Sequence, residues 1–240
     1  MCGFVGYLPG TNRTYNDEAT IQEMMDTIRH RGPDSGGYHV AERAVLGFRR
    51  LTIIDLSDAG NQPLYDESGR YTLVFNGEIY NHKDIRAELE QKGYHFKSHT
   101  DSEVLVHGYA EWQEGILDRV RGMFAFAIWD EQEQSLFLAR DMFGIKPLYY
   151  GKASDDGTFF FGSEIKSFLP HPSFVKEVNK NAVLPYLTFQ YPVTNETFFK
   201  NIYKLEPGTW MRVDKGGHMT RKRYWDFEFD ATDESLESYI

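Results

Sequence analysis

Short apolar segments separated by polar, glycine or proline residues make up most of the chain. Apolar runs of this length, rich in aromatic and β-branched residues, are typical of strands. The strands predicted in this way cover residues 3–8, 45–50, 71–75, 123–129, 135–139, 147–150 and 158–161. A hairpin is predicted over residues 202–225, with its turn at residues 214–217. The chain is therefore expected to consist largely of β-sheet.

Apolar residues three and four positions apart predict a smaller number of helices. The first helix covers residues 16–29 and places four apolar side chains on one face, namely Ile21, Met24, Met25 and Ile28. Asn81 has the position of an N-cap for a second helix, and Thr100 with Glu103 has capping-box spacing for a third. A short helix is predicted over residues 181–190. Blocks of strands with helices between them favour a layered α+β fold with mostly antiparallel sheet.

The composition is that of a folded protein, and the length suits one large domain or one domain plus a short extension. Of the 240 residues, 41% are hydrophobic and 26% are charged, which excludes a disordered or collagen-like chain. The formal net charge of −10 argues against a nucleic-acid-binding protein, which normally carries a basic face. No apolar run approaches the roughly 18 residues of a membrane span. No signal peptide is visible, and the single cysteine fits a reducing compartment, so a cytoplasmic location is expected.

The single cysteine, Cys2, is the first candidate for chemistry. If Met1 is removed, Cys2 carries a free α-amine, whose pKa of about 7.7–8.0 leaves it partly unprotonated at neutral pH. One residue would then supply both a thiol nucleophile and the base that activates it. Taken alone, a cysteine at this position is more often an accident than a nucleophile. None of the eight histidines stands in a recognisable Cys–His signature with it.

Four further residues carry groups that such a nucleophile would need. The side chain of Asn76 and the N–H of Gly77 can both point at an oxyanion, although Asn-Gly is also a common hairpin turn. Arg50, at a predicted strand end, can hold a carboxylate through two N–H groups, although a surface salt bridge is the simpler interpretation. Asp101 can accept from an ammonium, although an acid near a helix start is favourable in itself.

Motifs for phosphate, nucleotide or metal binding are incomplete or missing in the sequence. Residues 31–37 predict a turn-rich loop, because Ser35-Gly36-Gly37 is followed by Tyr38 and not by the residues of a pyrophosphate-binding loop. There is no P-loop, no dinucleotide fingerprint and no spaced Cys/His set for zinc. No metal and no cofactor are therefore predicted for this chain.

Eight short motifs follow one another along residues 1 to about 225. They are MCGFVG (1–6), HRGPD (30–34), RLTIID (50–55), FNGEIYN (75–81), TDSE (100–103), GMFAFA (122–127), RDMFGIKPLYY (140–150) and GSEIK (162–166). Each is modest alone, but all of them in this order are highly specific. Through these eight motifs the chain resembles the glutaminase domain of the class II glutamine amidotransferases. The resemblance is closest to that domain in the glutamine-hydrolysing asparagine synthetases.

The resemblance implies an N-terminal-nucleophile hydrolase fold, a four-layer αββα sandwich of two antiparallel sheets. It implies that Cys2, freed by removal of Met1, attacks the side-chain amide of L-glutamine, and that Asn76 and Gly77 form the oxyanion hole. The residues that it implies for binding glutamine are Arg50 at the α-carboxylate, Asp101 with Glu78 at the α-ammonium, and Leu51, Ile53 and Ile54 as pocket lining.

The resemblance also implies a partner that uses the ammonia. This would be an ATP- and Mg²⁺-dependent synthetase half, in cis or as a separate chain, that amidates aspartate through β-aspartyl-AMP. The sequence holds no such half, and residues 226–240 are expected to be a linker and its first helical turns. The chain alone should then hydrolyse glutamine without making asparagine. A homodimer is compatible with the resemblance, and no nucleic-acid or membrane partner is expected.

Two alternatives remain open at this point. One is a non-catalytic module of the same fold that senses glutamine or docks to a synthetase. The other is the glutaminase domain of an amidotransferase with another acceptor.

Overall fold

Two six-stranded antiparallel sheets lie face to face in the computed structural model, which describes residues 2–229 and residue 238. Strands are numbered along the chain. In spatial order, the first sheet contains β10 (Ile202–Lys204), β8 (Tyr149–Lys152), β9 (Phe159–Gly162), β1 (Gly3–Leu8), β3 (Val45–Arg50) and β2 (Ser35–Val40). The second contains β12 (Met219–Arg223), β11 (Thr209–Val213), β7 (Ser135–Arg140), β6 (Gly122–Asp130), β5 (Tyr71–Ile79) and β4 (Leu64–Tyr65).

The helices at residues 17–26, 82–91 and 103–112 pack on the outer faces of the two sheets. The described α-helices are α1 (Asp17–Asp26), α2 (His82–Gln91), α3 (Glu103–Trp112) and α4 (Val183–Phe189). Short 3-10 turns cover Asp58–Gly60, Gln113–Asp118, Ile165–Phe168 and Lys180–Ala182. Among residues 2–229 and 238, the helices are too short or too polar to span a bilayer.

Three separate apolar cores show that the molecule has four layers. One core joins α1 to the first sheet, a second fills the space between the sheets, and a third joins α2 and α3 to the second sheet. Strand β6 contributes to two of them, since Phe126 and Ile128 face the helices whereas Ala127 and Trp129 face the other sheet. Successive side chains of a strand point to opposite faces, so a strand buried on both faces forms a continuous apolar run. The predicted α+β sandwich is confirmed.

The first helix has the predicted face but is shorter than predicted. Asn16 caps it by accepting a hydrogen bond from Ala19 N at 2.9 Å. The four apolar residues of the predicted face are all buried against the first sheet: Ile21, Met24, Met25 and Ile28. The helix ends at Asp26, so Ile28 packs from the turn that follows.

The turn-rich loop predicted over residues 31–37 is wrong from Ser35 onward. Strand β2 begins there and pairs with β3, with Ser35 opposite Arg50 and Gly37 opposite Phe48. Gly37 is needed because the backbone of Gln62 passes close to it, and not because the chain turns there. A Cβ on Gly37 would lie 2.5 Å from the carbonyl oxygen of Gln62.

The hairpin predicted over residues 202–225 is correct only in its second half. Strands β11 and β12 pair across a turn that includes residues 214–217. Strand β10, however, belongs to the first sheet, where it pairs with β8. A single-sequence pattern does not distinguish a strand that returns from one that crosses to another sheet, because both have the same local spacing.

Two residues predicted to cap helices, Asn81 and Thr100, do not do so in the structure. Asn81 precedes α2, but its side chain accepts from Arg121 N and donates to Arg119 O, which ties the helix start to the segment before β6. Thr100 and Glu103 do not form a capping box. Instead, the carboxylate of Glu103 accepts the N–H groups of residues 97 and 98 and so orders the loop that precedes Asp101.

The other two helical predictions have different outcomes. The short helix predicted over residues 181–190 is confirmed as α4 with the 3-10 turn before it. The helical turns predicted within residues 226–240 lie largely outside the described residues. Residues 224–229 have no regular secondary structure.

Candidate active site

Cys2 stands at the start of β1, beside the end of β3. The two strands are antiparallel with Gly3 opposite Arg49, so the residues after Arg50 pass next to Cys2. Leu51 donates its backbone N–H to Cys2 Sγ at 3.4 Å, and Sγ lies 3.5 Å from Leu51 O. Burial raises the pKa of the Cys2 thiol, and the hydrogen bond from Leu51 opposes this only in part. The thiol therefore needs a base to become a thiolate at neutral pH.

Asn76 reaches Cys2 from the opposite sheet. On β5, Val74 faces the core between the sheets, so Asn76, two residues further on, faces the same way. With its amide oriented by the hydrogen-bond network, Asn76 donates from Nδ2 to Cys2 O at 2.9 Å and accepts from Arg31 Nη2 at 3.3 Å. An amide nitrogen carries two hydrogens, so a second N–H remains for another acceptor.

The N–H of Gly77 points away from β6, toward the edge of β5 that no other described strand covers at this position. Phe75 N donates to the side chain of Gln62 at 2.6 Å, and Ile79 N donates to Asp101 Oδ2 at 2.7 Å. Backbone groups of alternate residues in a strand point to the same side. The N–H of Gly77 lies between these two bonds along the strand, and it therefore points toward the same side, where the cleft lies.

The pairing of β5 with β6 is consistent with this direction of the Gly77 N–H. It also explains why residue 77 is a glycine. Phe124 lies across from Gly77 in β6, but its backbone N and O both bond to Asp141, on the far side. A Cβ on Gly77 would lie 2.3 Å from Met123 O, so only glycine fits. The hairpin-turn alternative for Asn76 and Gly77 is wrong, because β5 continues without a turn to Ile79.

Arg50 is buried, with 6% of its surface exposed. Its guanidinium donates from Nη1 to Ser57 O at 2.7 Å and to Asn61 Oδ1 at 2.8 Å, and from Nη2 to Asp55 O. It forms no ion pair with any acid in the described part of the chain, so the surface salt-bridge alternative is wrong. Three of the five guanidinium N–H groups are used in these bonds. The two that remain are the number that a bidentate carboxylate contact requires.

The loop after β3 is held close to Arg50 by features that the sequence did not reveal. A Cβ on Gly60 would lie 2.4 Å from Arg50 Nη2 and 2.7 Å from Thr100 Cγ2, so glycine makes room for the guanidinium. Asp55 accepts hydrogen bonds from the hydroxyl and N–H of Ser57 and from His99 N, and these lower its pKa to about 2. This carboxylate joins the loop to the segment before Asp101.

Asp101 is a buried carboxylate with an unusual titration. Burial is the main cause that raises its pKa to about 6, and the nearby charge of Glu78 raises it further, whereas the bond from Ile79 N lowers it. A positive group placed beside it would favour the ionised form. Such a response is expected of an acid that receives a ligand ammonium.

A single cleft brings most of the predicted site residues together. Eight of them line it: Cys2, Arg50, Leu51, Ile53, Ile54, Gly77, Glu78 and Asp101. Asn76 is not among the residues that line the cleft, and only 1% of its surface is exposed. Ile53 is 65% exposed and forms part of the rim. Within residues 2–229 and 238, no three His, Cys, Asp or Glu side chains are grouped as metal ligands.

The sequence analysis assigned no function to two charged residues, Arg31 and Glu164, that lie behind Cys2. Arg31 donates from Nε to Cys2 O at 3.0 Å, and its Nη1 lies 2.9 Å from Glu164 Oε1. Both residues fall within motifs that carried the family resemblance, HRGPD and GSEIK. The motifs were therefore a signal, but the pairing of residues so far apart in sequence was not visible.

A protein family and several known proteins match most of this chain. The family described as "Glutamine amidotransferase domain" matches residues 1–225. Asparagine synthetase [glutamine-hydrolyzing] 1 of Bacillus subtilis is 42% identical over 231 residues, which are 95% of this chain and 36% of that protein. Asparagine synthetase [glutamine-hydrolyzing] 3 of the same organism is 35% identical over 243 residues, covering 100% of this chain and 39% of that protein.

The fold also matches a solved structure. Glutamine phosphoribosylpyrophosphate amidotransferase from B. subtilis superposes with a TM-score of 0.68 at 19% identity, over 93% of this chain and 49% of that chain. At this identity the match concerns the fold alone. The chain spans little more than a third of the length of the two asparagine synthetases above.

Proposed function

This chain belongs to the glutamine amidotransferase domain family, and on that premise we propose that it hydrolyses L-glutamine to glutamate and ammonia through a Cys2 thioester. One observation carries the proposal. Cys2 and Gly77 both line the cleft, toward which the N–H of Gly77 points, and the amide of Asn76 bonds to Cys2 O beside it. A nucleophile with two donors beside it is the arrangement that acyl transfer from an amide requires.

The first half of the reaction forms the thioester. With Met1 removed, the α-amine of Cys2 takes the thiol proton, and Sγ attacks the γ-carboxamide carbon of glutamine. The second Nδ2–H of Asn76 and the N–H of Gly77 donate to the oxyanion of the tetrahedral intermediate. The α-ammonium of Cys2 returns the proton to the leaving nitrogen, the C–N bond breaks, and ammonia leaves.

The second half regenerates the thiol. The α-amine of Cys2 accepts a proton from water, and the hydroxide that forms attacks the thioester carbon. The same two donors stabilise the second oxyanion. The C–S bond breaks, the proton returns to sulfur, and glutamate leaves.

The substrate is held at its α-carbon by opposite charges on the cleft walls. The two remaining N–H groups of Arg50 bind the α-carboxylate, and Asp101 with Glu78 binds the α-ammonium. Leu51, Ile53 and Ile54 line the path of the aliphatic part. This clamp places the γ-amide against Cys2 Sγ, and positioning of this kind accounts for a large share of catalysis.

We further propose that the ammonia is used by an ATP- and Mg²⁺-dependent synthetase half to amidate aspartate through β-aspartyl-AMP. The names of the two asparagine synthetases of B. subtilis support this acceptor. The chain itself is proposed to need no metal and no cofactor for the glutaminase step. Boundaries at residue 225 and a linker over residues 226–240 remain predictions.

The test is glutamate release from L-glutamine by the purified chain, measured beside two variants. Cys2→Ala removes the thiol, and Cys2→Ser keeps a small polar residue that still permits removal of Met1. We expect turnover in the parent chain and none in either variant, with unchanged thermal unfolding. Intact mass, measured on each sample, reports whether Met1 has been removed.

Two outcomes would contradict the proposal. Turnover that persists in Cys2→Ala would remove Cys2 as the nucleophile. A folded parent chain that has lost Met1, binds glutamine by calorimetry and does not hydrolyse it would favour the non-catalytic sensing module.

A further inference from the structure

Glu164 lies behind the nucleophile, outside the cleft, and receives three positively charged or polar side chains. Its Oε1 is 2.9 Å from Arg31 Nη1 and 2.9 Å from His30 Nε2, and its Oε2 is 3.3 Å from Lys166 Nζ. Burial raises the pKa of this carboxyl, but the hydrogen bonds from its three partners outweigh burial, so the pKa is lowered. Glu164 is therefore a carboxylate at neutral pH.

Arg31 connects this carboxylate to both parts of the proposed chemistry. From the same guanidinium, Nε donates to Cys2 O at 3.0 Å and Nη2 donates to the Asn76 amide oxygen at 3.3 Å. A guanidinium is rigid and planar, so fixing Nη1 on Glu164 also fixes the directions of the other two donors. The position of Glu164 thus determines how Cys2 and Asn76 are held relative to each other.

The backbone around this connection is shaped to admit it. A Cβ on Gly3 would lie 2.8 Å from Arg31 Cδ and 3.0 Å from Arg31 Nε, so glycine lets the side chain pass across β1. Ser163, next to Glu164, is bound to β1 at Phe4 through two bonds: its Oγ accepts from Phe4 N at 3.1 Å, and its N donates to Phe4 O at 2.9 Å. Glu164 is therefore fixed on the strand that begins just after Cys2.

We propose that Glu164 is a positioning residue for glutamine hydrolysis, which holds Arg31 so that the Cys2 nucleophile and the Asn76 donor keep their reactive geometry. This inference rests on the proposed glutaminase function. Glu164 does not line the cleft, and among the described residues no hydrogen bond or ion pair joins it to Arg50, Glu78 or Asp101. A loss at Glu164 should accordingly affect the chemical step and leave glutamine binding nearly intact.

The expected effect of Glu164→Gln is a fall in kcat of about 10- to 100-fold, with KM for glutamine changed by less than about threefold. The magnitude follows from the cost of misplacing a reactive group by about 1 Å, which can reach about 100-fold. Glu164→Asp keeps the charge at a shorter reach and should recover much of the lost kcat. The matched control is Glu177→Gln, which removes the exposed Glu177–Lys200 ion pair (2.8 Å) and should leave both constants unchanged.

A double-mutant cycle with Arg31→Lys tests whether Glu164 acts through Arg31. A lysine carries its three donors on one nitrogen, so it cannot replace the Nε, Nη1 and Nη2 contacts of Arg31 at once. In the Arg31→Lys background, Glu164→Gln should therefore lower kcat only slightly further. Thermal unfolding of each variant is measured in parallel. Full additivity of the two substitutions would overturn the inference, because it would mean that Glu164 acts independently of Arg31.

Two further results would also overturn it: an unchanged kcat in Glu164→Gln, or a fall in kcat that follows a matching loss of folded protein in both Glu164→Gln and Glu164→Asp. A failure of the proposed function itself looks different. It is turnover that persists in Cys2→Ala, or its absence from the parent chain, whatever the Glu164 variants do.

Discussion

Asp101 accepts the backbone N–H of Ile79 at 2.7 Å, which joins the loop before α3 to the end of β5. Ile79 lies two residues after Gly77, and Gln62 binds Phe75 on the other side of that glycine. The carboxylate proposed to receive the substrate ammonium therefore also holds the strand that carries the proposed oxyanion donors. In the proposed reaction, substrate binding and oxyanion stabilisation would therefore depend on the same strand.

The pH dependence of glutamine use should reflect Asp101. Its pKa of about 6 means that the free protein holds it mostly ionised at pH 7 and mostly neutral at pH 5. A neutral carboxyl cannot pair with the α-ammonium, so kcat/KM should fall as pH drops below about 6, approaching tenfold per pH unit. The measurement is kcat/KM for glutamine from pH 5 to 8.

Asp101→Asn is the control for that profile. The variant should have a much lower kcat/KM at pH 7 and should lose the step near pH 6. A base with a pKa near 8, such as a free α-amine, produces a separate change in kcat/KM near that pH, and the variant should keep this change. If the parent and the variant share the step near pH 6, then another group is responsible for it.

The Asn76 amide should contribute mainly to the chemical step. Asn76→Ala removes a proposed oxyanion donor, and the loss of one such donor costs about 10²–10³ in kcat. Asn76→Asp keeps the size and an acceptor for Arg31 but lacks the N–H, so its loss should be similar. Steady-state kcat and KM with thermal unfolding check this. A kcat in Asn76→Asp close to that of the parent would exclude the amide as a donor.

Gly60 should control glutamine affinity although it bears no side chain. In Gly60→Ala the new Cβ would collide with Arg50 Nη2 at 2.4 Å, and the guanidinium must move. We expect KM for glutamine to rise at least tenfold, because a displaced guanidinium loses its bidentate contact. Arg50→Lys should act in the same direction, since a point charge does not replace the fork.

Gly115→Ala is the matched control for Gly60→Ala. The nearest neighbour of a Cβ on Gly115 would be Trp112 Cβ at 3.7 Å, an ordinary contact, and Gly115 is not among the residues that line the cleft. It should leave KM unchanged. An unchanged KM in Gly60→Ala would show that Arg50 does not hold the substrate in the position described.

Local patterns succeeded where the neighbours of a residue lie within one element. The apolar face of α1 and the buried run of β6 follow from side-chain periods of 3.6 and 2, which are local properties. The prediction failed at β2 and β10, whose strand pairing depends on residues elsewhere in the chain. The capping-box prediction failed because the Glu103 carboxylate binds the loop before the helix and not the helix start.

The sequence by itself determined the elements, the nucleophile candidate and, through eight ordered motifs, the family, because residue type and spacing carry that information. Only the tertiary structure decided which way the N–H of Gly77 points, that Arg50 is buried with no acidic partner in the described part of the chain, and that burial raises the pKa of Asp101 to about 6. It also decided that Glu164 meets Arg31 across 133 residues of chain. The direction of a hydrogen bond and the desolvation of a side chain depend on which distant groups pack around it. In this protein the packing of the two sheets determines which groups those are.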